Sequence, residues 1–108
     1  MTREQRLAKN EVLFRDVNER VRDISAGAWD VDEEVEFLCE CVQTDCLERI
    51  SLPLREYEEV RGNPAHFVLV PGHERPDLEF VVAVGDGHVV VEKNDETKPL
   101  VVDEDPRS

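Results

Sequence analysis

The chain has 108 residues and a formal net charge of −13, with 36% charged and 40% apolar residues. That length suits one domain with a small core. An acidic body repels phosphate, which argues against nucleic acid and anionic membrane as partners. The charge is uneven: residues 1–25 hold six Lys/Arg against five Asp/Glu, a net of +1, and residues 26–108 hold seven against twenty-one, a net of −14. A protein partner with a basic surface, or a cation, is the more natural match. No apolar run approaches the length of a membrane span, and the charged opening MTREQRLAKNE lacks the apolar region of a signal peptide. The expected compartment is the cytoplasm, where thiols stay reduced and clustered cysteines point to metal or redox chemistry.

Residues 1–26 predict an amphipathic helix, free of Gly and Pro until Gly27. Leu7, Phe14 and Val21 recur every seven residues, with Val17 and Ile24 interleaved, Asn10 as the exception and Leu13 beside them. Two uses fit this stripe. It packs on its own domain, the reading favoured here, or it pairs residues 5–24 with a second copy, in which Arg6 would face Glu11 of the other chain. Trp29 is expected to plug the core where the helix hands over to the first strand.

Val31, Val35, Phe37, Cys39 and Cys41 then alternate with Asp32, Glu34, Glu36, Leu38 and Glu40, the period of a strand with a wet acidic face. LERISLPL alternates again, so residues 35–52 predict a hairpin with the cysteines at its tip. Pro53 suits the first turn of a short helix carrying Leu54, Tyr57 and Val60 on one side, and Gly62-Asn63-Pro64 stops it. Three short strands follow: AHFVLV, DLEFVVAV and VVVEK, the last two joined through Gly85-Asp86-Gly87. The expected fold class is α+β: an N-terminal amphipathic helix, then a small, mostly antiparallel sheet with a Cys-bearing, zinc-ribbon-like hairpin and one short helix. The expected organisation is the helix over 1–26, a zinc-binding α+β domain over 27–93, and an acidic, largely disordered tail over 94–108 in which PLVV could dock.

The three cysteines, Cys39, Cys41 and Cys46, lie within eight positions. On an extended backbone residues i and i+2 share a face, and the loop from Val42 to Asp45 is long enough to return Cys46 to them. Soft sulfur donors select zinc over calcium or magnesium. His73 is the best fourth ligand, because Pro71-Gly72 fits a type II turn that would project it. His66 and His88 read as strand residues instead, while Asp45 or Glu40 could supply oxygen. Two other readings of the cluster stay open: three inert thiols, and a redox pair such as Cys41–Cys46.

AKNEVLFRDVNERV followed by FLCECVQTDCLERISLPLREYEEVRGNPAHFVLVPGHE resembles a group of short, uncharacterised bacterial proteins. Their pattern combines an NE-x-x-FR-x-VNE helix, a C-E-C-x4-C element, an EY-x-x-VR helix and a PGHE turn. The resemblance covers residues 8 to about 93 and implies a small cytosolic protein with a zinc-binding element, grouping Cys39, Cys41, Cys46 and His73. It implies no activity.

No phosphate loop, nucleophile elbow or EF-hand spacing is present in the sequence. The expected function is a zinc-stabilised protein-interaction or regulatory module without its own catalysis. The alternative is a metal-dependent or thiol-redox enzyme using the same cysteines, with Glu40 or Glu74 as general base. Three thiolates make zinc a poor Lewis acid, which disfavours hydrolysis.

Overall fold

The computed structural model describes residues 1–28, 30–105 and 107; the role expected for Trp29 lies outside them. Helix α1 (Arg3–Ala28) is followed by β1 (Glu34–Leu38) and β2 (Arg49–Pro53). Helix α2 (Leu54–Arg61), β3 (His66–Leu69), β4 (Glu79–Val84), β5 (Val89–Lys93) and α3 (Lys98–Val102) complete the order. The fold is α+β as expected, and among the described residues its strands form two antiparallel sheets: β1 pairs with β2, and the second runs β3-β5-β4. Among the described residues no helix is long and apolar enough to cross a membrane.

The hairpin forms where the alternation places it, with Phe37 opposite Ile50 and Val35 opposite Leu52. Its core face joins α2 through Tyr57, whose ring stacks on Phe37 with centroids 4.2 Å apart. Pro53 caps the start of α2 with extended backbone, Gly62 closes its end, and Leu54, Tyr57 and Val60 are buried as their spacing requires. Phe67, Val68, Leu69 and Val91 complete the apolar centre.

Helix α1 departs from its expected orientation. Ala8, Glu11, Val12, Arg15, Asn18 and Ser25 are the buried residues. Leu7, Phe14 and Val21 only flank that stripe, and Leu13, Val17 and Ile24 are exposed. Polar partners on the opposing surface decide which face turns inward. Lys93 Nζ donates to both Glu11 and Glu79, and all three side chains are fully buried. Arg15 donates to the carbonyls of Pro64 (2.8 Å) and Val101 (3.1 Å), and its guanidinium lies 4.1 Å over the Phe67 ring. Glu11, the residue that would face Arg6 of a second copy, is here buried against Lys93 of its own chain.

The segment after residue 94, expected to be largely disordered, instead folds back onto the domain. Thr97 Oγ1 donates to the Leu78 carbonyl (2.8 Å), Val101 is fully buried, and Asp105 accepts from the buried Arg61. Arg107 reaches both Glu19 and Glu58. The sequence PLVV carries the docking, as its apolar run allowed, with the buried Val101 and the part-buried Leu100 as anchors.

Hydrogen bonding from Arg107 holds the Glu58 carboxyl below its ordinary value, against some desolvation and with help from Arg22. A depressed carboxylate contributes stability above its unfolded pKa of about 4.3, lost as pH falls through the folded value. Glu58→Gln should thus lower Tm at neutral pH, and the gap from wild type should close as the pH falls below about 4. Removing Lys93 leaves two buried carboxylates without their cation, so Lys93→Ala should cost about 3–5 kcal/mol in denaturant unfolding. Leu13→Asp and Ile24→Asp, by contrast, should each change stability by no more than about 0.5 kcal/mol. A large loss from either would mean that the exposed face is covered.

Candidate metal centre

Beyond Leu38 the chain leaves β1 and crosses to the second sheet. The Cys39 amide still donates to the Glu48 carbonyl (3.0 Å). The Glu40 amide then donates to the Val68 carbonyl (2.9 Å), so this short stretch lies along the outer edge of β3. Val70 N–H donates to Cys39 Sγ at 3.2 Å, a bond that favours the thiolate. The loop turns at residues 43–46, where the Cys46 amide donates to the Gln43 carbonyl (3.1 Å), and returns Cys46 towards Cys39 and Cys41.

His73 arrives from the other side. Gly72 has φ +94, the left-handed value needed at the third position of a type II turn, and the His73 amide donates to the Val70 carbonyl at 3.0 Å. Glu74 Oε1 accepts from the Gly72 amide (2.8 Å), bracing the turn. The ring then presents Nδ1 to the sulfurs, 3.5 Å from Cys39 Sγ and 3.7 Å from Cys46 Sγ. Cys39, Cys41, Cys46 and His73 form one group whose donor atoms all lie within 4.8 Å of one another.

These distances fit zinc. Bonds of about 2.3 Å to sulfur and 2.0–2.1 Å to nitrogen at a tetrahedral angle set sulfur–nitrogen edges of about 3.6 Å. The two measured edges fall on either side of that value. The electrostatics fit as well. Cys41 is pulled down to about 5 by the hydrogen bond from Cys39, against burial and with help from the Gln43 amide and His73. Cys39 is pushed up by the same bond and by burial, and Cys46 is raised chiefly by burial. Three sulfurs thus compete for negative charge in one place, and a bound divalent cation would resolve the competition. All three are free thiols, with Cys39 and Cys41 buried and Cys46 half-buried.

The other sequence candidates fall elsewhere. Glu40, expected on a wet face, is fully buried and turns its carboxylate away from the sulfurs. Oε2 accepts from Asn18 (2.8 Å) and Tyr57 (3.0 Å), and Oε1 from the Val68 amide (3.1 Å). Burial raises its pKa against those bonds. Asp45 is exposed and outside the group. His66 pairs through Nε2 with Glu92 (2.9 Å), and His88 is buried against Gly85 rather than part-exposed on a strand.

Sequence reasoning missed Glu48. Its Oε2 lies 2.8 Å from His73 Nε2, the ring nitrogen facing away from the sulfurs. A carboxylate there fixes the tautomer that leaves Nδ1 free to ligate. Its position two residues after Cys46, where the loop re-enters the hairpin at β2, was the available signal. Comparison with known protein families, with curated proteins and with solved structures finds no match to this chain.

His73→Ala should weaken zinc affinity and lower Tm, whereas His66→Ala should leave zinc affinity unchanged in a chelator competition. Glu48→Gln should reduce that affinity by about 10-fold or more while leaving zinc stoichiometry intact. Equal affinity in wild type and both site variants would remove His73 from the ligand set.

Proposed function

We propose that this chain is a small zinc-stabilised protein-interaction or regulatory module, with Cys39, Cys41, Cys46 and His73 as the zinc ligands and no catalysis at the metal. The observation that carries the reading is the closed donor set: four protein side chains from the hairpin loop and the Val70–His73 turn converge. Structural zinc sites have four protein ligands, whereas catalytic ones keep a position for water. The carboxylates weighed as general bases are both engaged, Glu40 with three core donors and Glu74 with its own turn. Bound zinc would tie the first hairpin to the loop after β3, so its binding free energy becomes folding free energy. Exposed apolar side chains on α1 and β4 support a binding role. The resemblance to short bacterial proteins with a C-E-C-x4-C element and a PGHE turn supports the same ligand grouping and a cytosolic setting.

Protein purified without a histidine tag and under reducing conditions should contain about one zinc per chain by elemental analysis. Chelator should then lower Tm, and readdition of zinc should restore it. A metal-free preparation with the Tm of the zinc-loaded protein would sink this reading.

A further inference from the structure

The two edges of the β3-β5-β4 sheet are treated in opposite ways. At β3 the outward Val68 carbonyl and amide are taken by the Glu40 amide and carboxylate, and the Val70 amide by Cys39 Sγ. That edge is closed. At the other edge, β4 pairs only with β5 among the described residues. Five consecutive apolar residues, Phe80 to Val84, are all exposed, with Phe80 at 50% and Val84 at 78% of full accessibility. An exposed apolar edge strand is a template for another strand.

The surroundings select the chemistry of that strand. A groove of about 590 Å³ lies over the face of this sheet between β4 and α2, with Val82 of β4, Val90 of β5 and His66 of β3 in its lining and with Glu34, Glu56, Glu59 and Asp86 as its carboxylates. No lysine or arginine is among its described lining residues. We infer that the open edge of β4 docks an extended, basic segment of a partner protein, which adds a strand to the sheet and sets alternate Lys or Arg side chains against these carboxylates.

A second copy fits less well. Antiparallel pairing of two β4 strands would bring together two chains of net charge −13. A bulge between Val81 and Ala83 also interrupts the edge, since Val82 faces no residue of β5. Bulges disfavour indiscriminate edge pairing, so the docked strand must match β4 on both sides of this one.

This inference rests on reading the chain as an interaction module and can fail separately from it. The zinc-loaded full chain would be titrated with fluorescein-labelled nine-residue peptides of alternating Lys and Val, and of alternating Glu and Val. The lysine peptide should bind, shift the amide resonances of Phe80–Val84, and lose affinity as salt rises. Phe80→Lys with Val84→Lys should weaken it by about tenfold or more. Glu56→Gln with Glu59→Gln should weaken it severalfold and flatten the salt dependence. Zinc content and Tm, measured on each sample, show that the variants remain folded. No binding of the lysine peptide at about 1 mM to a folded, zinc-loaded chain would overturn the assignment and leave the zinc reading standing. Equal affinity for the glutamate peptide, or shifts confined to other elements, would overturn it too. A wild-type dimer that Phe80→Lys with Val84→Lys converts to monomer would give the edge to a second copy instead.

Discussion

The carboxylate of Glu40 ties the cysteine-bearing segment to the rest of the molecule. It sits between two cysteines of the cluster, yet it faces the core and accepts hydrogen bonds from α1 (Asn18), α2 (Tyr57) and β3 (the Val68 amide). Asn18 in turn grips the end of β1, its Nδ2 donating to the Leu38 carbonyl and its Oδ1 accepting from the Leu38 amide. A buried carboxylate is costly unless its oxygens are satisfied, and here both oxygens are. The alternation of side chains along Cys39-Glu40-Cys41 therefore has two inward destinations: sulfur to the cluster with His73 and carboxylate to the core. Moving one moves the other.

The same economy of polar contacts runs along α1. Glu11, Arg15 and Asn18 are buried where an amphipathic helix would place Leu or Val, and each meets groups from distant parts of the chain. Two buried side-chain atoms of this set, Glu11 Oε2 and Arg15 Nε, have no partner among the described residues, so the network is not satisfied throughout. Buried ion pairs seldom add net stability over apolar packing, but they penalise any alternative register in which a charge would lose its partner. For a helix of 26 residues with apolar side chains on more than one face, that penalty selects the rotation.

This explains which features were legible in the sequence. The hairpin, helix α2, the Pro71-Gly72 turn and the convergence of His73 with three cysteines follow from local rules, namely period, capping and turn chemistry, and all of them stand in the structure. The rotation of α1 was not legible, because heptad spacing registers only apolar residues and the inward face is largely polar. Glu40 was misplaced for a related reason. Alternation assigns faces only while a strand continues with one neighbour, and the chain changes neighbours at Leu38, passing from β2 to the edge of β3. The motif residues Asn10, Glu11, Arg15, Asn18, Glu19, Tyr57 and Arg61 were visible as a pattern. Their partners, among them Val42, Lys93, Val101, Leu38 and Asp105, are far apart in sequence, so only the fold could assign their roles.

The position of the cluster also bears on how the second sheet avoids unwanted pairing. A three-stranded sheet has two edges, and each exposes unpaired amides and carbonyls unless something covers them. The Cys39–Glu40 stretch covers β3 with one backbone bond, one carboxylate and one sulfur. It is held on one side by the core donors to Glu40 and on the other by the convergence of sulfurs with His73. A metal at the cluster would thus do more than close a loop: it would keep a strip of chain pressed along β3. With that strip in place, β4 is the edge left uncovered among the described residues, and an added strand would approach the sheet from that direction. With the strip released, both edges would compete for partners, and the directionality would be lost along with the stability.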